Sequence, residues 1–397
     1  MFRAALYAMV FGLLGLGAPA AAEICTRDDV PAATLLLPYF EVDLGNPNGV
    51  TTLLSINNAF TDPVVAKAEI WSDLGVAIGG FNLYLEGFDV QSINLRDVFN
   101  CNLPNTPPPP GSPFSGSCAS AFPPPAFLCS TTTYQTALTG KPVPALSGCA
   151  GLDHGDDIAR GYLTVDVVNG CTTQFPGNAG YFGPGGTGVA SNRNALWGDY
   201  FYLNPSLDLT DGEMLVHIEA SGTNPETSTA GQSTFYGKFV SWTGADNREP
   251  LPSTYGVRFF NGGAFSGGTN LRVWRDSKLQ QGAFKCGTAP AWYPLGQEAI
   301  FLFDEQAHSA SPGAVKPFPA VTQKVHVGGA ALPVPYSFGW LILGLDETIP
   351  LAANVPPEDP NRAQAWVGAE MAANGRFSAG FNAMHYDNAC TGVIPQP

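Results

Sequence analysis

The stretch Thr51–Phe99 constrains the fold most strongly, because it alternates short apolar runs with turn residues. It contains TTLLSINN, VVAKAEIW and FNLYLEGFDVQSINL, and Asn, Asp, Pro and Gly separate these runs. Strand-length runs bounded in this way are typical of antiparallel β-structure. The strand candidates within it are five to eight residues long, which is too short for a helix of normal length. The sequence therefore predicts an all-β fold.

A similar ordered set of runs follows in the C-terminal half. TNLRVW, QEAIFLFDE and SFGWLILGLD match TTLLSIN, VVAKAEIWSD and ARGYLTVDVV, in the same order. Two further pairs are Gln364–Met371 with MLVHIEAS and Phe377–Tyr386 with FYGKFVSW, which we take as strands in both halves. The recurrence predicts two related antiparallel β-sandwich units and suggests an internal duplication.

The N-terminus has the three parts of a signal peptide over Met1–Ala22. Arg3 precedes an apolar run that is short for a membrane span, and small residues lie before Glu23. The sequence then divides into a first unit at 23–243, a polar linker at 244–254 and a second unit at 255–397. We expect an exported protein of the periplasm, cell surface or medium, with no membrane insertion after signal removal.

Residues 101–150 interrupt the strand pattern with PPPP at 107–110 and four of the eight cysteines. Proline cannot donate to a β-ladder, so this segment is predicted to be an insertion outside the central sheet. Thr131–Leu138 is predicted as one short helix within it. An even cysteine count in an exported chain predicts structural disulfides, whose pairing the spacing leaves open. The cysteines are Cys25, Cys101, Cys118, Cys129, Cys149, Cys171, Cys286 and Cys390.

The formal net charge of −15 argues against two classes of partner. Nucleic acids and anionic membrane surfaces both select a cationic protein face, so neither is expected to bind. Only 13% of the residues are charged, while 45% are hydrophobic. This composition favours a packed fold over a disordered chain.

The order of TTLLSINN, a turn, an alternating strand and Val-x-x-Ile-Asn-Leu resembles immunoglobulin-like sandwich modules of bacterial secreted and surface proteins. The longer runs GLDHGDDIARGYLTVDVVNGC and LWGDYFYLNP resemble a group of uncharacterised secreted bacterial proteins. The first resemblance implies that both units are immunoglobulin-like. The second covers most of the chain after residue 22 and implies no activity.

Two polar clusters are candidate sites. Asp153, Asp156 and Asp157 could hold a structural calcium ion through carboxylate oxygens, although their spacing is not that of an EF-hand. A solvated turn is the alternative interpretation. Arg272, Trp274 and Arg275 could form a ledge that stacks on a sugar or binds a carboxylate. A solvated strand face with a packed Trp is the alternative, and strand alternation places Arg272 and Trp274 on the same face.

No catalytic signature stands out in the sequence. The G-x-S-x-G elbow and the G-x-x-x-x-G-K-[ST] loop do not occur, so no catalytic residue is assigned. We therefore expect a secreted, non-catalytic structural or interaction protein of the bacterial envelope or cell surface. The alternative is a carbohydrate-binding module or carbohydrate-active enzyme. Expected partners are a protein, a surface polysaccharide or a second copy of the chain, and structural calcium is the only cofactor considered.

Overall fold

The computed structural model describes residues 30–119, 130–220, 234–240, 245–296, 299–313, 315–345, 364–373 and 375–385. Strands dominate these residues, and they form four antiparallel sheets. The prediction of a mainly β-protein is therefore confirmed. The predicted signal peptide lies outside the described residues.

The strands are numbered in chain order through the described residues. They are β1 Thr34–Asp43, β2 Thr51–Asn58, β3 Val64–Ser72, β4 Ala77–Leu85, β5 Val90–Asn94, β6 Ile158–Val168, β7 Leu196–Asn204, β8 Leu209–Met214, β9 Val216–Ile218, β10 Thr254–Phe260, β11 Gly268–Arg275, β12 Ala299–Phe303, β13 Ser309–Ala310, β14 Thr322–His326, β15 Phe338–Gly344, β16 Ala365–Ala373, β17 Phe377–Asn382 and β18 Met384–His385. The helices are short and are α1 Leu95–Phe99, α2 Ser115–Cys118, α3 Thr131–Leu138 and α4 Gly237–Val240.

The first half of the chain contains two sheets. Sheet I has the order β4-β3-β6-β1-β9, and sheet II has the order β5-β2-β7-β8. Their inner faces share one apolar core, to which sheet I contributes Phe40 and Leu163 and sheet II contributes Leu54 and Tyr200. We call this sandwich-like pair the first unit.

The second half repeats this arrangement. Sheet III has the order β13-β12-β15-β10-β18, and sheet IV has the order β14-β11-β16-β17. Phe259 and Leu341 from sheet III meet Leu271 and Val367 from sheet IV in a second core. Adding nine to each strand number of sheets I and II reproduces the orders of sheets III and IV. The two units therefore share one strand order in two sequences.

Matching contacts occur at matching positions in the two units. Thr52 Oγ1 donates to Glu41 O at 3.0 Å and accepts from Glu41 N at 3.2 Å. Thr269 Oγ1 donates to Phe260 O at 3.1 Å and accepts from Phe260 N at 2.8 Å. Each threonine therefore ties the start of the second strand to the end of the first.

Two glycines match in the same way. A Cβ on Gly161 of β6 would lie 2.0 Å from Trp71 O, and a Cβ on Gly339 of β15 would lie 2.0 Å from Phe303 O. Any side chain at either position would push the neighbouring strand away. The sequence pairing of ARGYLTVDVV with SFGWLILGLD therefore corresponds to matching places in the two units.

Two of the five predicted sequence pairs do not correspond. Ala365–Ala373 takes the place of β7 and Phe377–Asn382 takes the place of β8, so neither matches the fragment with which it was paired. The predicted strand at 235–242 is also wrong, because Gly237–Val240 is helical. The predicted helix Thr131–Leu138 is confirmed, with the Ser130 side chain accepting from Thr133 N as its N-cap.

Disulfides tie the insertion to both units. Cys118 bonds to Cys171 in the first unit, and Cys149 bonds to Cys286 in the second. Cys101 is also disulfide-bonded. The three remaining cysteines, Cys25, Cys129 and Cys390, lie outside the described residues. The prediction of structural disulfides is confirmed for the five cysteines that are described.

The described part of the predicted linker is buried instead of solvated. Arg248 is 1% exposed, and its Nη1 lies 3.0 Å from Asp246 Oδ1 while its Nε lies 3.5 Å from Asp166 Oδ1. Tyr181 donates to the other Asp166 oxygen at 2.7 Å. A buried cation needs such compensation, because burial removes its hydration. The connection between the units is therefore part of the packed interior.

Candidate functional site: a polar cleft between the two units

The outer face of sheet IV packs on the first unit. Trp274 lies 6.0 Å, centroid to centroid, from Tyr162 on the outer face of sheet I, and 5.5 Å from Phe235. The same buried cluster includes Trp71, Leu36, Val216, Val321 and Trp366. The interface between the units is therefore an apolar core of its own.

This packing corrects the predicted sugar-binding ledge. Arg272, Trp274 and Arg275 are all buried, so they do not form an exposed ledge. Arg272 and Trp274 do share one face of β11, as alternation predicts, but that face meets the first unit. Arg275 donates to the carbonyls of Phe318 and Leu345 at 2.9 and 2.8 Å. The three side chains hold the protein together instead of facing a ligand.

Arg272 is the polar centre of the interface. Its guanidinium forms ion pairs with Asp211 of β8 and Glu370 of β16, and it lies 3.7 Å from the centroid of the Tyr202 ring. Asp211 and Tyr202 belong to the first unit, and Glu370 belongs to the second. One buried cation therefore neutralises a carboxylate from each unit.

Beside this interface lies a polar cleft of about 670 Å³. The first unit lines it with Glu41, Asp73 and Arg160, and with residues 152–154, which lie between the insertion and β6. The second unit contributes Tyr293, residues 316–317 and 319–320, and much of β14. The cleft therefore depends on the assembly of both units.

Asp73, just after β3, is the most buried acid of the cleft. Its Oδ2 lies 3.1 Å from His154 Nε2, and its Oδ1 accepts from Leu152 N at 3.0 Å. Its backbone carbonyl accepts from Val321 N and Thr322 N at the start of β14. Burial raises the pKa of the Asp73 carboxyl, and its hydrogen bonds to His154 and Leu152 only partly oppose this shift.

The pKa of Glu41, at the end of β1, is shifted in the opposite direction. Burial alone would raise its pKa, but the charges of Lys324 and Arg272 outweigh burial and hold the pKa below its usual value. Lys324 Nζ lies 3.0 Å from Glu41 Oε1, and Tyr39 donates to Glu41 Oε2 at 3.2 Å. The cleft thus holds one carboxyl with a raised pKa and one with a lowered pKa.

The three acids predicted to bind calcium point to separate partners. Asp156 forms a two-pronged ion pair with Arg160, with both distances 2.7 Å, and this hydrogen bonding holds the pKa of its carboxyl below the usual value. Asp157 pairs with Lys141 at 2.5 Å, and Asp153 accepts from Gly155 N. Across the described ranges, no three His, Cys, Asp or Glu side chains are grouped to hold a metal ion. Structural calcium stays a prediction.

Sequence reasoning missed Asp73 and Glu41. Asp73 is a single acid in the turn WSDLG, and Glu41 lies within the apolar run LLLPYFEV. A charged residue inside an apolar strand was the available signal, because such a residue needs a buried partner. The partners of Glu41 are Lys324 and Tyr39, and Lys324 is far from it in sequence.

We expect Asp73→Asn to change how stability depends on pH. A carboxyl with a raised pKa stabilises the folded state fully below its ordinary value, about 3.9, and this contribution is lost as pH rises through the raised value. Asn resembles the neutral carboxyl. The free energy of unfolding of the native protein should therefore fall relative to that of the variant as pH rises from about 4 to about 8, as measured by urea denaturation.

Asp62→Asn is the control for this comparison, because the Asp62 side chain is exposed. It should leave the pH dependence unchanged. Parallel curves for the native protein and Asp73→Asn would contradict a raised pKa at Asp73.

Two outer sheet faces carry exposed apolar side chains. Trp197, Phe201 and Val90 lie on the outer face of sheet II and are exposed. Phe301 and Met384 are exposed on the outer face of sheet III. Several exposed apolar side chains on one sheet face often mark a site of interaction with another macromolecule.

No protein-family model matches the chain, and neither do the curated proteins or the solved structures with which it was compared. None of the helices in the described ranges has the length and apolar character needed to cross a membrane. Any functional inference therefore rests on the site and the surfaces themselves.

Proposed function

We propose that this chain is an exported, non-catalytic structural or interaction protein of the bacterial envelope or cell surface. The observation that carries the proposal is that the outer faces of sheets II and III both carry exposed apolar side chains, in a protein whose two units are linked to each other. The Cys149–Cys286 bond, the Arg272 ion pairs and the shared apolar cluster join the units. Disulfides favour an oxidising compartment, which supports export and the signal peptide assignment.

We also infer that the two units arose by internal duplication. The shared strand order and the matched contacts of Thr52 with Thr269 and of Gly161 with Gly339 support this inference. The immunoglobulin-like assignment is part of the proposal. If β1 to β7 are taken as strands A to G of that fold, the pairings β2–β5 and β3–β6 correspond to its B–E and C–F pairings. The pairings β1–β6 and β2–β7 have no counterpart in that fold.

The test is retention of the oxidised protein on envelope fractions: outer membrane, cell wall and surface polysaccharide. We expect at least one fraction to retain it and Trp197→Ser to reduce retention. Phe377→Ser is the control, because Phe377 is an exposed phenylalanine of sheet IV and belongs to neither of the two faces. A protein that is monomeric and inert towards every fraction would contradict the proposal.

A second candidate function is carbohydrate binding or cleavage in the cleft. The observation that favours it is the opposite shift of the pKa values of Asp73 and Glu41, since a general acid and a general base need such a difference. Tyr293 also lines the cleft, and its partial burial together with the charge of Asp73 raises its pKa.

We expect a polysaccharide substrate to protect the protein against thermal unfolding and Asp73→Asn to abolish cleavage while leaving that protection in place. Asp153→Asn, at the exposed rim of the same cleft, is the matched control and should still cleave. No protection by any polysaccharide, together with no cleavage, would remove this candidate.

A further inference from the structure

We propose that copies of this chain associate head to tail, with the outer face of sheet II in one copy packed on the outer face of sheet III in the next. This inference rests on the proposed interaction role and names its partner as a second copy. It is argued from the interface that already exists inside the chain.

The internal interface is the template. There, the outer face of sheet IV packs on the outer face of sheet I, through Trp274 and Trp366 on one side and Trp71 and Tyr162 on the other. In strand order, sheet II corresponds to sheet IV and sheet III corresponds to sheet I. The two faces that correspond to the buried pair are therefore the two that carry exposed apolar side chains.

Trp197 shows the correspondence on sheet II. It lies opposite Asn57 on β2, and Trp366 lies opposite Trp274 at the matching position of β11. Trp366 is 5% exposed inside the internal interface, whereas Trp197 is 37% exposed. At this matching position, the tryptophan of the second unit is thus buried and that of the first unit is exposed. Phe201 extends the open face.

Sheet III shows the correspondence on the opposite surface. Phe303 stacks on Trp340 with centroids 5.2 Å apart, as Trp71 stacks on Tyr162 at 5.7 Å in sheet I. Two residues before Phe303 on the same outward side of β12, Phe301 is 38% exposed. The pair Trp71 and Tyr162, on which sheet IV packs, thus has a counterpart in Phe303 and Trp340, which lie beside the exposed Phe301.

The two faces also carry opposite charges. Arg258 is exposed on sheet III, in the same cross-strand row as Phe303 and Trp340. Asp199 is partly exposed on sheet II and accepts from Ser55 through Oδ1. Arginine and aromatic side chains are enriched at the centres of protein interfaces. A guanidinium that meets a carboxylate there would fix the orientation of the two copies.

The proposed contact joins two different surfaces, so a bound pair of copies leaves one sheet II face and one sheet III face free. Such a heterologous contact closes into a ring or continues into a filament. A two-fold dimer, by contrast, would use the same surface on both copies.

The experiment measures the mass of the oxidised protein by light scattering over a range of concentrations, with Trp197→Lys and Phe301→Lys alongside. We expect the native protein to form oligomers beyond the dimer. Each variant should weaken association at least about tenfold, because each places a charge at the centre of one face. Phe377→Lys is the control and should associate like the native protein.

Mixing the two variants gives the sharper test. Trp197→Lys keeps an intact sheet III face and Phe301→Lys keeps an intact sheet II face, so an equal mixture should form a one-to-one dimer that grows no further. A misfolded variant could not form this dimer. Native protein that stays monomeric at every concentration would overturn the inference, and so would variants that associate like the native protein.

The envelope-retention assay separates this inference from the proposed function. A monomeric protein that an envelope fraction retains would remove self-association and leave the interaction role standing. A monomeric protein that no fraction retains would remove both.

Discussion

Arg272→Ala should destabilise the protein by about 3–5 kcal/mol, because it leaves two buried carboxylates without their shared cation. Asp211 and Glu370 are both buried, and both pair with the Arg272 guanidinium. Lys324 lies 3.5 Å from Glu370 and compensates that carboxylate only in part. The substitution also removes the cation from the face of the Tyr202 ring. Urea denaturation at neutral pH measures the loss.

Two further variants test the cause. Arg376→Ala removes an exposed arginine of the second unit and should change the free energy of unfolding by less than about 0.5 kcal/mol. Replacing Arg272, Asp211 and Glu370 together by Met, Leu and Met should recover most of the loss, since apolar side chains carry no desolvation cost. A triple variant as unstable as Arg272→Ala would show that the arginine acts through packing instead of charge.

The strands were predictable because their pattern is local. The run ARGYLTVDVV, which alternates and is followed by the turn residues Asn169 and Gly170, lies within β6, Ile158–Val168. The short helix Thr131–Leu138 was equally local, because Ser130 caps it and no β-pattern competes. The order of three runs in each half also followed from the residues alone.

The burial of the strand faces was not predictable in the same way. Alternation placed Arg272 and Trp274 on one face, but a face with Arg, Trp and Asn looks the same whether water or another sheet covers it. Here the covering groups are Tyr202 and Asp211, which come from a different unit. The cleft was missed for the same reason, because Asp73, Glu41 and Lys324 meet only after both units assemble.

The segment at 235–242 shows a third limit. FYGKFVSW has the apolar content of a strand, and it was paired with Phe377–Tyr386 on that basis. In the structure Phe235 stacks on Trp274 and Tyr236 donates to Asp166 at 3.0 Å. These long-range contacts, which the local pattern does not encode, accompany a helical turn at Gly237–Val240.

Removing the Cys149–Cys286 disulfide should also have a large effect on stability. The two cysteines are 137 residues apart, and the bond joins the end of the insertion to the second unit. The chain-entropy description gives about 5 kcal/mol for a loop of that length, which is an upper value because native-state strain and residual structure in the unfolded chain reduce the effect. We therefore expect Cys149→Ser with Cys286→Ser to lower the free energy of unfolding by about 2–5 kcal/mol in urea denaturation.

The second described disulfide provides the matched comparison. Cys118 and Cys171 are 53 residues apart and both lie in the first half of the chain, so Cys118→Ser with Cys171→Ser removes no covalent link between the units. Because Cys149 and Phe284 also exchange two backbone hydrogen bonds, of 2.8 and 2.9 Å, the folded contact between the units should persist without the Cys149–Cys286 bond. The loss of stability should then arise mainly because the unfolded chain gains conformational freedom. The unfolding rate should therefore increase only slightly. A loss below about 1 kcal/mol would contradict this account, since it would mean that the bond constrains the unfolded chain very little.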